Sequence, residues 1–325
     1  MLAAHVPETG TIRLVDWPDP VATEPGQFVV RLLHSAVCGS DIHAMLEGNM
    51  HPSGPTAPGY SGHEGVGVVT ATRSGRFAVG DLVLCLPEGR VGGCFAEQML
   101  LDDDHALRLP PGDPVRLLQA QQYGTVLWAM KHFWPTEVPA RAAGCAAVIG
   151  LGSAGLFFVQ ELRRYGFATV VASDPDAHRR AVAARLGAVA VAPDDLAAAV
   201  ADVTAGVGAD LVVEAVGLPE TRAQANDVAR TEGIVGVFGV PLQGLLDSHD
   251  VDGAFRKLLR LQYSVNAQAE PGLASFAEAL RRVAAGEVEV DYCLGLSYPL
   301  HELVPAIEVA AARGHGHVRV LLHVP

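Results

Sequence analysis

Cys38, Asp41, His43, His63 and Glu64 stand in two short runs, Cys38-Gly39-Ser40-Asp41-Ile42-His43 and Gly62-His63-Glu64. A thiolate, an imidazole and a carboxylate brought together from separate loops make a sulfur, nitrogen and oxygen set that suits Zn²⁺. Each residue alone has a plainer reading: a buried small hydrophobe, a satisfied histidine, a surface carboxylate. The combination carries the case. Gly39, Ser40 and Asp41 follow Cys38 where a core strand would place Val or Ile, and Gly62 and Gly65 flank the His-Glu pair. Asp41 is a candidate acceptor for the outward N–H of a ligating His63.

Further along is Gly150-Leu151-Gly152-Ser153-Ala154-Gly155, with an apolar run before it and a helical pattern after it. Asp174 ends the next apolar run, nineteen residues past Gly155. This is the dinucleotide-binding pattern: Gly150 for the turn, Gly152 for close approach of the pyrophosphate, Gly155 for helix–strand packing. Asp174 is expected to accept hydrogen bonds from the adenosine ribose. It would repel a 2′-phosphate, which favours NAD over NADP, although Arg179 and Arg180 stand near enough to weaken that preference. The plainer alternative is an ordinary strand–helix turn, with Asp174 capping the helix after Pro175.

Two kinds of element must position these groups. Short β-type runs at 28–33, 65–70 and 81–85, broken by Gly and Pro, predict a small barrel-like domain. From about Gln122 the rhythm changes to alternating strands (146–149, 168–172, 210–214, 233–239) and helices (154–165, 176–186), the pattern of a doubly wound parallel sheet. Helices at 273–285 and 300–312 and a last strand at 318–323 are expected to return to the first domain. The division is therefore 1–122 with 268–325, and 123–267.

The chain has 325 residues, half of them hydrophobic, and a formal charge of −13. No basic field exists to attract nucleic acid or an anionic membrane. Five cysteines, odd in number and without a C-x-x-C pair, fit a reducing cytoplasm. The N-terminal residues lack the pattern of a signal peptide. The uncharged run 142–159 approaches membrane-spanning length, but it holds four glycines and the nucleotide pattern, so a buried strand, turn and helix explain it better. His315-Gly316-His317 reads as exposed loop histidines, and Met45, Tyr60 and Trp128 as either substrate lining or core.

Taken together, the chain resembles the zinc-dependent medium-chain dehydrogenases/reductases. The likeness rests on Pro25-Gly26, C-G-S-D-x-H at 38–43, G-H-E at 62–64, V-G-D at 79–81, G-G-x-F-A-E at 92–97, the nucleotide motif and Glu214-Ala-Val-Gly217. It implies a Rossmann domain beside a GroES-like catalytic domain, one catalytic zinc on Cys38, His63 and Glu64, and Ser40 and His43 as proton relay. It also implies that Arg319 contacts the cofactor pyrophosphate, and a homo-oligomer, dimer or tetramer. The reaction implied is hydride transfer between a secondary alcohol, polyol or cyclitol (or its ketone) and NAD(H). The alternatives are a zinc-free enoyl or quinone reductase of the same superfamily, which needs no such donor set, and a non-catalytic nucleotide-binding protein, which has no use for a relay. Two departures stand out. Between Asp81 and Gly93 there is Cys85 alone, so the four-cysteine lobe for a structural zinc is absent. The remaining metal position falls at Gln121-Gln122, and an amide is a poor zinc donor, leaving water or substrate as the expected fourth group.

Overall fold

Ten residues rich in Val and Leu, Gln27–Ala36, form a strand whose residues are buried on both faces through most of its length. It sits inside a seven-stranded sheet that runs Ser297–Pro299, Leu321–His323, Gln27–Ala36, Gly65–Thr72, Leu82–Cys85, Ala106–Arg108, and Gln98–Asp102 also pairs with the central strand. Every pairing is antiparallel except that of Ser297–Pro299 with Leu321–His323. Phe28, Val30, Leu32, Met45, Tyr60, Phe95 and Leu322 belong to one core cluster. Met45 and Tyr60 are thus buried core residues. Half-buried Trp128 donates its indole N–H to the Val265 carbonyl at 3.1 Å.

The computed structural model describes residues 1–48, 56–87, 92–135, 144–240, 250–312 and 316–324. His315 lies outside them. The chain divides into two units, 1–124 with 268–325, and 125–267, where the sequence placed the change at 122/123.

In the second unit, six strands pair in parallel in the order Val189–Val191, Thr169–Ser173, Cys145–Ile149, Ala209–Glu214, Ala229–Val237, Arg260–Tyr263. This is the doubly wound order, with its reversal between Cys145–Ile149 and Ala209–Glu214, the place where such sheets bind nucleotides. Cys145–Ile149 is buried at every residue, and Ser153–Arg164 is the helix that follows. From residue 145 on, the uncharged run is therefore sheet centre, turn and helix. No helix among the described residues is long and apolar enough to cross a membrane.

Two expectations need correction. The helix expected over 300–312 splits into a 3₁₀ turn, Leu300–Glu302, and a helix, Leu303–Ala311. Pro305 has no N–H to give to the His301 carbonyl, so it is tolerated in a first turn and not further in. The final strand is Leu321–His323, so Arg319 precedes it instead of lying within it.

Candidate metal and nucleotide sites

Cys38 is the extended residue before the helix Gly39–Leu46. Its N–H donates to Asp41 Oδ2 at 2.8 Å, which caps the helix and fixes the thiol at the helix entrance. The other oxygen of Asp41, a residue with no exposed surface, accepts from Ser61 Oγ at 2.7 Å and from His63 Nδ1 at 3.2 Å. One buried carboxylate thus ties both loops together. Ser61 was not foreseen; its spacing two residues before His63 is the signal that would have found it. A Cβ on Gly62 would come within 2.7 Å of the Phe95 ring, so glycine alone lets this loop pass. With Nδ1 held by Asp41, His63 presents Nε2.

Glu64 is fully buried. Its Oε2 meets the Arg319 guanidinium. Its Oε1 has no hydrogen-bond partner and lies 3.9 Å from His63 Nε2. One donor atom each from Cys38, His63 and Glu64 falls within 4.8 Å of the others, the one such group among the described residues. A buried carboxylate oxygen without a partner is costly, and beside a thiol sulfur and an imidazole nitrogen it completes a set that fits zinc.

Burial opposes charge on both Cys38 and His63, but their mutual interaction, with Asp41 beside the imidazole, outweighs it. The thiol falls below its ordinary pKa and His63 rises well above 6.5. The metal-free pair is thereby shifted toward thiolate and imidazolium, whereas zinc requires a neutral imidazole. Between pH 6.5 and the raised value of His63, zinc binding should therefore release protons, the imidazolium proton among them. Apparent affinity should climb with pH across that window and level off above it. Calorimetric zinc titrations in buffers of different ionisation heat check this; heats independent of buffer would contradict it. Asp41→Ala leaves the Cys38 N–H, Ser61 Oγ and His63 Nδ1 without this acceptor. Losses of this kind cost about 10–100-fold in metal affinity, to be measured by competition with a chromophoric chelator.

Arg319 is 3% exposed. Beyond Glu64 it donates Nη1 to Gln119 Oε1 at 2.9 Å. Burial lowers its pKa to about 10, which leaves it charged at neutral pH. No sequence signal announces these partners, which hold the guanidinium beside the donor set. Of the two candidate amides, Gln122 is the one brought to the metal site: its Oε1 lies 3.7 Å from Cys38 Sγ. Ser40 and His43 are three residues apart on one helix, hence on one face. The Ser40 hydroxyl hydrogen-bonds with the Cys38 thiol. His43 Nδ1 lies 2.5 Å from Glu47 Oε2, an i,i+4 pair.

In the second unit, Gly150-Leu151-Gly152 links Cys145–Ile149 to Ser153–Arg164, and no side chain caps that helix. Its first N–H groups form the kind of terminus that takes a phosphate. A Cβ on Gly155 would lie 1.9 Å from the Gly150 carbonyl oxygen, so glycine is obligatory there. Asp174, 5% exposed, accepts from Leu151 N and Asp176 N, both at 2.8 Å. It braces the turn, with a lone pair left on each oxygen. The cap of the helix Ala177–Arg185 is Asp176, whose carboxylate accepts from His178 N and Arg179 N. Arg180 Nη1 donates to the Asp174 and Pro175 carbonyls at 2.8 Å. Glu214 Oε1 accepts from Val216 N, Gly217 N and Thr221 Oγ1, each at 2.8 Å, and so fixes the loop after the neighbouring strand.

Comparison with known proteins gives two family matches, an alcohol dehydrogenase GroES-like domain over residues 24–111 and a zinc-binding dehydrogenase domain over 153–285. A probable zinc-binding alcohol dehydrogenase of Mycobacterium tuberculosis is 28% identical across 99% of this chain and 88% of its own length. Scyllo-inosose 3-dehydrogenase of Thermotoga maritima is 29% identical across 85% of this chain and 81% of its own. The solved alcohol dehydrogenase of Thermus sp. ATN1 superposes with a TM-score of 0.83 at 23% identity, covering all of both chains, a likeness of fold. Zinc and a nicotinamide are the cofactors this family implies, and the paired domains, the Cys-His-Glu cluster and the glycine turn place the chain in it: the protein belongs to the zinc-dependent medium-chain dehydrogenases/reductases, as an alcohol-dehydrogenase-type oxidoreductase acting on CH–OH groups and lacking the structural-zinc lobe.

Proposed function

We propose that the protein interconverts a secondary alcohol, polyol or cyclitol and its ketone with NAD(H), using one zinc ion held by Cys38, His63 and Glu64. The observation that carries this reading is the convergence of three unlike donors within 4.8 Å around an unpartnered carboxylate oxygen. A zinc-free reductase would have no use for that set. Bound zinc supplies Lewis acidity to the substrate oxygen, and the nicotinamide supplies the hydride acceptor.

The chain's own residues do the rest. Asp41 holds His63 in one orientation, and Arg319 holds one oxygen of Glu64 so that the other faces the donors. Ser40 takes the proton of the substrate hydroxyl. His43, which is partly exposed, would take that proton on from Ser40 and release it to water. Glu47, bound to His43 Nδ1, orients that ring and leaves Nε2 for proton transfer. The spare lone pairs of Asp174 would accept from ribose hydroxyls and disfavour a 2′-phosphate, the basis for NAD over NADP. The cyclitol and polyol class is supported by the named activity of the Thermotoga relative.

The test is reduction of NAD and of NADP by zinc-loaded protein with a panel of secondary alcohols, sugar alcohols and inositols. Zinc-dependent turnover of one class, faster with NAD, is expected. Equal turnover after zinc is stripped, or reduction of enones and quinones alone, would refute the proposal.

A further inference from the structure

We infer that His34 and His323, paired across two strands, form a second metal site, a two-imidazole chelate for a divalent transition-metal ion that ties the C-terminal strand to the central one. The inference is independent of the Cys38 site and of the reaction proposed above.

His34 lies on the central strand Gln27–Ala36 and His323 on its antiparallel neighbour, Leu321–His323. The register sets the two residues directly opposite each other. Opposite residues of such a pair point to the same face, with Cβ atoms about 4.5–5.5 Å apart. Imidazole nitrogens that share one ion at about 2.0–2.1 Å stand about 3 Å apart. Rotation about the side-chain bonds brings two rings so placed to that separation. A bulge puts His34 on the right face. The pairing of Gln27–Ala36 with Gly65–Thr72 shifts register between Leu32 and His34. Phe28, Val30 and Leu32 alternate into the core of the first unit, and His34 would continue that row without the shift. With it, Ser35 turns inward instead, buried and donating its hydroxyl to the Cys94 carbonyl, and His34 is partly exposed. Leu322 and Val324 belong to the same core, so His323 between them also faces the other way.

The surroundings suit an ion. The flanking positions in this cross-strand row are Pro299 and Val66, which offer no competing side-chain donor. Ser297 Oγ lies 3.2 Å from His323 Nδ1, which orients that ring and leaves Nε2 to ligate. Burial pushes the pKa of His34 down; the His323 ring adds to the fall and Asp113 opposes it. His34 is therefore largely neutral at pH 7, the form a metal takes. Asp113, whose carboxylate caps the helix Pro114–Leu118 through Val115 N at 3.0 Å, places a negative charge near the pair. Imidazole donors suit copper, nickel and zinc. Gln27–Ala36 ends two residues before Cys38, and Leu321–His323 begins two residues after Arg319. An ion here fixes the register of the two strands that lead to those residues, in a chain without the four-cysteine lobe.

The experiment titrates Ni²⁺ by calorimetry into the zinc-loaded chain, as wild type, His34→Ala and His323→Ala, while a chromophoric chelator reports any zinc displaced. Expected is one nickel per wild-type chain without release of zinc. Either variant should bind it about a hundredfold more weakly, because a lone imidazole loses the intramolecular second bond. Amide exchange at 321–324 should slow on nickel addition in the wild type and not in the variants. Circular dichroism confirms folding, and if one variant misfolds the other decides. A wild type that takes up no nickel beyond its zinc, or nickel held equally by wild type and variants, would overturn the site. Histidine-dependent binding with exchange unchanged would overturn the tie between the strands.

Discussion

Cys38→Ala is expected to fold, to lose stoichiometric zinc and to lose at least about a thousandfold in turnover, because Lewis-acid stabilisation is worth several kcal/mol. The thiolate is the soft donor of the set. Without it, His63 and Glu64 remain as two groups on one loop, too few to hold an ion. The fold should survive, because the change removes one sulfur atom at a helix entrance, and the Cys38 N–H to Asp41 bond is a backbone contact that alanine keeps. Metal analysis, circular dichroism and turnover on the same sample check all three parts. A variant that keeps its zinc and its rate would remove Cys38 from the site.

The second large effect is expected in the other unit. Gly155→Ala puts a methyl group 1.9 Å from the Gly150 carbonyl oxygen and 2.9 Å from its carbon. Those are backbone atoms that no rotamer change can move aside, so the turn or the helix must shift. Overpacking costs about 1–3 kcal/mol, and contact with backbone puts this change at the upper end, a fall in Tm of several degrees. Gly150 and Leu151 are also tied to Ser173 and Asp174, so the shift spreads to the whole turn. Coenzyme affinity, read by quenching of intrinsic fluorescence, should fall at least about tenfold, about 1.4 kcal/mol. Zinc content should stay at one per chain, since Cys38, His63 and Glu64 lie in the first unit. Undiminished coenzyme binding would dissociate the glycine turn from the nucleotide.

What the sequence revealed follows from how far each signal reaches along the chain. The run 145–149 is apolar at every position because its strand is buried on both sides, and its neighbours share that property, so the parallel sheet was legible. Cys38 and His63 were legible as a pair because glycines and small polar residues surround them where a core would not. Asp174 was read as a ribose acceptor, and its bracing of Leu151 N could not be foreseen because it depends on the three-dimensional path of the turn. Arg319 and Glu64 are 255 positions apart, and Gln122 and Cys38 are 84 apart, so no local pattern couples them. The break before Leu303 was in principle readable from Pro305, but the apolar periodicity of 300–312 concealed it.

The central claim is that Cys38, His63 and Glu64 hold one zinc ion. Zinc-edge X-ray absorption on wild-type protein loaded with one equivalent, with Cys38→Ala exposed to the same amount of zinc as the control, tests it most directly. One sulfur at about 2.3 Å with nitrogen and oxygen neighbours at about 2.0–2.2 Å, the sulfur shell vanishing in the variant, is the expected result. A wild-type spectrum without sulfur, or one unchanged by the substitution, would contradict it.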